Sequence, residues 1–168
     1  MVLVGLPGSG KSTVGREAAR LLGAPFTDID AVLIEQTGMA VADFFALRGE
    51  PEFRRLESAA MAWALDAPAQ IIAPGGGWVA QEGNLQAASR HGVLLLYLSV
   101  APLEAARRLA GDTSRPLLAG VDLETRMREL LAEREQWYRR AEVEVEAAST
   151  VETISGIVAT KARLVGGW

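Results

Sequence analysis

The chain has no cysteine, a single histidine, His91, and a single asparagine, Asn84. The missing thiols exclude disulfides, thiolate catalysis and cysteine-based zinc sites together. One imidazole cannot build a metal cluster, and between Arg90 and Gly92 it reads as a loop residue before a strand. No Lys/Arg run exceeds two and the formal charge is −4, so the basic footprint of non-specific nucleic-acid binding is missing. No apolar run approaches the ~18 residues of a membrane span; Val93–Leu98 is strand-sized. The N-terminus shows neither a charged-then-apolar leader nor an Arg/Ser-rich transit pattern. A cytoplasmic protein, or a matured organellar one, is expected, with neither nucleic acid nor membrane as partner.

What is present is a wound pattern. Short apolar runs alternate with longer stretches of helical period, which predicts an α/β fold with a parallel sheet and helical crossovers. Five strands are expected, at Val2–Val4, Pro25–Asp28, Gln70–Ala73, Val93–Ser99 and Val143–Ala147. The first and fourth are continuous apolar runs that suit central strands. The last alternates Val143-Glu144-Val145-Glu146 and suits an edge. Helices are expected after the first strand (Val14, Ala18, Leu21 and Leu22 on one stripe), at Ala31–Gln36, Val41–Leu47, Glu52–Leu65 and Pro102–Leu109, and from about Asp122 to Arg140. The region 31–65 is too long for a simple crossover and reads as a helical insert over the sheet. The glycine-bounded stretch around 111–121 reads as a lid, with an ordinary surface loop as the competing reading. Without repeat or linker, 168 residues make one domain.

Gly5-Leu6-Pro7-Gly8-Ser9-Gly10-Lys11-Ser12, followed by Thr13, matches G-x-x-x-x-G-K-[ST]. Glycines let the backbone turn its N–H groups around phosphate oxygens, and the helix beginning near Lys11 adds its positive end. Lys11 supplies a mobile charge for the outer phosphates and Ser12 a hydroxyl for Mg²⁺. A chance Gly-rich turn would not need the apolar strand before it and the amphipathic helix after it. The guanine-reading N-K-x-D is absent, since Asn84 is followed by Leu85. No strand ends in a conventional Walker B Asp, and the chain is small for a motor ATPase. Small-molecule and nucleotide kinases remain.

The acceptor side is marked by four features. Asp28-Ile29-Asp30 is read as a strand end whose two carboxylates point the same way with period two; an N-cap before Ala31 is the alternative. Arg134 falls on the apolar stripe of Leu123, Met127, Leu130, Leu131, Trp137 and Tyr138, where a guanidinium is costly unless an anion meets it. Pairing with Glu57 or another acid competes with that reading. Arg54 has Glu57 one turn later to orient it, and two arginines from different elements suit a planar carboxylate. Gly75-Gly76-Gly77 suits close approach of a ligand to the backbone, or a plain turn. Arg115 on the lid would bring a cation to a transferring phosphoryl group, whereas Arg107 and Arg108 are open to simple solvation.

Together these pieces resemble shikimate kinase along most of the chain: GLPGSGKSTVGR, Asp28 and Asp30, TGM at Thr37–Met39, EFRRLE at Glu52–Glu57, GGG at Gly75–Gly77, RPLL at Arg115–Leu118, and Glu133, Arg134 and Tyr138 as E-R-x-x-x-Y. The resemblance implies a P-loop fold like that of nucleoside monophosphate kinases. It also implies transfer of the ATP γ-phosphoryl group to the 3-hydroxyl of shikimate in aromatic amino-acid synthesis. It implies that Gly8, Ser9, Gly10, Lys11, Ser12, Thr13, Arg108 and Arg115 bind ATP. Asp30, Arg54, Gly75, Gly76, Gly77 and Arg134 are implied to bind shikimate, and Ser12 with Asp28 to serve Mg²⁺. Lys11, Asp30 and Arg115 are the implied catalytic set, with Arg108 against adenine. A monomer is expected.

The chain departs from the family pattern at Pro74 and Trp78 around the glycines, at Glu135–Trp137 before the tyrosine, and in the tail after Ala147. Gluconate kinase is the nearest rival, disfavoured by GGG and RPLL. A kinase-derived module without catalysis is disfavoured by intact Lys11, Ser12, Asp30 and Arg115.

Overall fold

A computed structural model describes residues 1–111 and 122–168. Its sheet has five strands: β1 (Val2–Val4), β2 (Phe26–Asp28), β3 (Ile71–Ala73), β4 (Leu95–Ser99) and β5 (Val143–Glu146). All pair in parallel, in the order β2-β3-β1-β4-β5. The central position of β1 follows from its composition: Val2, Leu3 and Val4 are all buried, as a strand covered on both faces requires. In β5 only Val143 and Val145 are buried while Glu144 and Glu146 face solvent, as the alternation predicts for an edge. Parallel strands place the loops after β1, β2 and β3 on one edge of the sheet, where α/β folds bind ligands.

Among the described residues seven α-helices surround the sheet: α1 (Lys11–Leu22), α2 (Ile29–Thr37), α3 (Val41–Asp66), α4 (Asn84–Arg90), α5 (Pro102–Leu109), α6 (Leu123–Tyr138) and α7 (Val151–Val165). The long α3 is broken at Gly49, whose φ of 79° and ψ of 167° are not helical, with Pro51 just beyond. This break is why the periodicity resolves two helices there. Helices α2 and α3 fill the chain between β2 and β3.

The D-x-D segment differs from its expected form. Strand β2 ends at Asp28, and Ile29 and Asp30 already belong to α2. Asp28 is the N-cap, accepting from the Ala31 N–H at 3.2 Å. Period two therefore does not align the carboxylates. The capping energy of a helix start overrides strand continuation, because four N–H groups there need acceptors.

Helices α4 and α7 lie outside the expected elements. For α7 the signal was available: Thr150 caps the Thr153 N–H, and Ile154, Val158 and Ala162 recur every four residues as its buried stripe. It packs on α1, where buried Ser155 donates to Val14 O at 3.3 Å and Arg163 Nη2 donates to Leu21 O at 2.9 Å. The tail thus braces the helix that begins at the phosphate loop. Replacing Ile154, 2% exposed, with Ala should cost about 2–5 kcal/mol. A urea melt checks this; unchanged stability would show that α7 is not docked on α1 in solution.

Candidate active site

The loop between β1 and α1 curls because its glycines adopt positive φ, 78° at Gly8 and 92° at Gly10, the latter capping α1. A Cβ at Gly8 would come within 2.6 Å of Ala105 O, so only glycine lets the loop pass this close to α5. Lys11 is buried and its Nζ donates to Gly5 O and Leu6 O, both at 2.9 Å, across the loop's own carbonyls. The Ser9 hydroxyl is buried in the same turn without a hydrogen-bond partner among the described residues.

Two cavities meet at this edge of the sheet. The first, about 250 Å³, is lined by Gly8, Gly10, Lys11, Ser12, Thr13 and Arg108. The second, about 330 Å³, has an apolar wall of Ile34, Val41, Phe45, Phe53 and Leu130, into which Arg54 and Arg134 bring charge. Ser12, Asp28, Asp30, Gly75 and Gly76 line both. Asp28 and Asp30 therefore do share one crevice with the phosphate loop, reached through a helix start rather than a strand end.

The triple glycine is needed on three sides. A Cβ at Gly75 would collide with Glu57 Oε1. At Gly76 it would lie 3.1 Å from both Gly5 O and Pro7 Cδ of the phosphate loop. At Gly77 it would sit 3.0 Å from Arg54 Nη2 and 3.5 Å from Arg134 Cζ. The close approach read from the sequence is thus made first by the protein's own walls. Tyr138, fully buried and stacked on Tyr97 at 5.2 Å, donates to Gly76 O at 2.7 Å and holds the loop from the α6 side. Burial pushes its phenol up to about 12, so it stays a neutral donor.

The two arginines are held differently. Arg54 Nη1 donates to Glu57 Oε2 at 2.7 Å, and its Nε and Nη2 bond Glu50 Oε1 at 3.2 and 3.0 Å. Glu57 has no exposed surface, and burial raises its carboxyl above the usual range against the opposing pull of Arg54. Arg134 is half-buried and pairs with no carboxylate among the described residues. Glu57 is thus the partner of Arg54 and not of Arg134. Arg108 Nε bonds Glu104 at 2.9 Å and its Nη2 donates to Ala147 O at 2.7 Å, so it is fixed rather than merely solvated. Arg115 and the segment 112–121 lie outside the described residues.

Sequence reasoning did not find Gln81, whose Nε2 donates to Glu57 Oε2 at 3.0 Å, nor the aromatic wall of Phe45 and Phe53. Nothing in the Gln81 spacing signals it, because the contact spans 24 residues. Phe45 and Phe53 read as ordinary core positions.

The shikimate kinase family profile matches residues 7–161. The chain is 47% identical over 140 residues to the shikimate kinase of Mycobacterium avium (strain 104), covering 83% of this chain and 78% of that protein. Its fold matches the shikimate kinase from Acinetobacter baumannii in complex with shikimate with a TM-score of 0.91 at 30% identity, over 98% of this chain and 92% of that one. A gluconokinase from Sinorhizobium meliloti 1021 shares the fold alone, with a TM-score of 0.63 at 19% identity over 99% of this chain and 93% of that one.

The difference between the arginines gives a stability contrast. Arg134→Met should leave the melting temperature of the ligand-free protein unchanged or raised, since it removes a half-buried charge without stranding an acid. Arg54→Met strands Glu57 and should cost on the order of 3 kcal/mol near neutral pH. A carboxyl whose folded pKa is raised binds its proton more tightly folded than unfolded, so that loss should shrink as pH falls toward 5. Melts of both variants at pH 5 and 7.5 decide; equal losses at both pH values would contradict the assignment of Glu57.

Proposed function

This chain belongs to the shikimate kinase family, and we propose that its two adjoining cavities hold ATP and shikimate and pass the γ-phosphoryl group across their shared wall. The activity is ATP-dependent phosphorylation of the 3-hydroxyl of shikimate, giving shikimate 3-phosphate and ADP on the route to aromatic amino acids. The observation that carries the site assignment is that Ser12, Asp28, Asp30, Gly75 and Gly76 line both cavities at once. A group leaving one cavity at that wall enters the other.

In this reading the phosphate loop, with Gly8, Ser9, Gly10 and Thr13, wraps the ATP phosphates through backbone N–H groups, and Lys11 exchanges the carbonyls of Gly5 and Leu6 for phosphate oxygens. Arg108 borders the nucleotide side. Arg54 and Arg134, flanking Gly77, take the shikimate carboxylate as a two-armed clamp. Asp30 receives the proton of the attacking hydroxyl as its oxygen bonds to the γ-phosphorus and the bridging P–O bond to ADP breaks. By the family resemblance alone, Arg115 adds charge at the transferring group.

Mg²⁺ suits the donor set. No group of three or more His, Cys, Asp or Glu suited to a metal occurs among the described residues. Mg²⁺ keeps several waters and takes one or two protein oxygens beside substrate phosphates. The Ser12 hydroxyl would be a direct ligand, and Asp28, one oxygen engaged by Ala31, would hold a metal-bound water with the other. Bound there, the ion supplies charge to the phosphates. One chain lines both cavities, which suits a monomer, and among the described residues no helix is long and apolar enough to cross a membrane. The use of ATP suits the cytoplasm.

ADP release should require shikimate, with gluconate and AMP at background; comparable turnover of gluconate would overturn the substrate assignment. Asp30→Asn should lower kcat by roughly 10²–10⁴, and a kcat within about threefold of the parent would remove Asp30 as the base. Arg134→Met should lose ~2–5 kcal/mol of binding, raising the KM for shikimate by roughly 30- to 3,000-fold. Steady-state titration of shikimate reads this directly.

A further inference from the structure

Trp78 stands where the family resemblance leads one to expect a small residue, and its structural consequence is specific. The indole is 1% exposed and opens a single 3₁₀ turn, Trp78–Ala80. The Trp78 N–H donates to Gly75 O at 3.1 Å, and Trp78 O accepts from Gln81 N at 3.2 Å and from Asn84 Nδ2 at 2.7 Å. Anchored in the core by the indole, this turn delivers its closing residue, Gln81, onto Glu57.

We propose that Gln81 is a positioning residue for shikimate binding, acting through Glu57 to aim Arg54 into the acceptor cavity. This inference rests on the shikimate kinase reading and deepens it. Among the described residues Glu57 Oε1 is buried without a hydrogen-bond partner, so the anion depends there on two donors to Oε2, Arg54 Nη1 and Gln81 Nε2. The groups acting on it are Arg54 from its own helix, Asp30 of α2, which repels, and neutral Gln81 from the turn. Without Gln81, burial and Asp30 both favour a protonated Glu57. A neutral carboxyl no longer competes for the guanidinium, which already reaches Glu50 on its exposed side with Nε and Nη2. Arg54 would then turn toward Glu50 and away from the cavity.

The parent enzyme's turnover of shikimate tests the family reading; variants compared with that parent test Gln81 alone. Gln81→Met keeps length and removes the donor. Losing a hydrogen bond to a charged group should raise the KM for shikimate on the order of tenfold. kcat and the KM for ATP should stay within about twofold, because Arg54 binds the acceptor and not the phosphates. The acid limb of kcat/KM for shikimate should move to higher pH as Glu57 protonates more easily. Gln81→Lys restores a donor and should keep the KM near that of the parent. An unchanged KM and acid limb in Gln81→Met, even with a lower melting temperature, would make the residue a structural tie and overturn the proposal. So would a Gln81→Lys enzyme that binds shikimate as poorly as Gln81→Met. Should the Met variant not fold, the Lys variant decides by itself: parent-like binding sustains the proposal and a tenfold loss ends it.

Discussion

A single carboxylate with no exposed surface, Glu57, organises the wall that carries Arg54 and the triple glycine. Burying an anion costs several kcal/mol unless donors surround it, and the surroundings are arranged accordingly. Arg54 comes from one turn earlier on α3 and Gln81 from the turn after the triple glycine. Gly75 has no side chain because Glu57 Oε1 occupies the place of one. Two segments, residues 54–57 of α3 and 75–81 after β3, are thereby held to one another. An arginine fixed in this way has already lost its rotamer freedom, so in the role proposed for Arg54 less binding energy would be consumed in ordering it.

The opposite wall is built on another principle. Arg134 has no acid to hold it among the described residues, and it is half-buried on α6, where the proposed role gives its charge an anion to meet. Its helix is fixed instead by Tyr138, whose hydroxyl reaches Gly76 O. The glycine loop is thus gripped from α3 on one side and α6 on the other, while Gly76 rests on the phosphate loop at Gly5 and Pro7. A shift in the loop would disturb both cavities together, because both use Gly75 and Gly76.

Much of this was legible in local pattern. The apolar runs located all five strands to within two residues at each end, and the alternation of β5 marked its edge position. The phosphate loop was legible because its chemistry requires glycines and a lysine at fixed spacing. Asp28 and Asp30 were correctly joined to one crevice through an incorrect geometry, since a helix start and a strand end look alike over three residues. Helix α7 was overlooked although Thr150 and its four-residue stripe marked it.

The sequence by itself therefore determined the five strands, most of the helices and the phosphate-loop motif, because these rest on residues close together along the chain, and its motifs jointly carried the family resemblance. Only the tertiary structure decided that Arg134 meets no acid among the described residues, what each of the three glycines lies against, and that Gln81 supports Glu57. Those are contacts between segments such as α3 and the turn after β3, 24 residues apart in the case of Gln81 and Glu57. Their partners are chosen by burial and by the need of each buried polar atom for a donor, and no spacing along the chain encodes that choice.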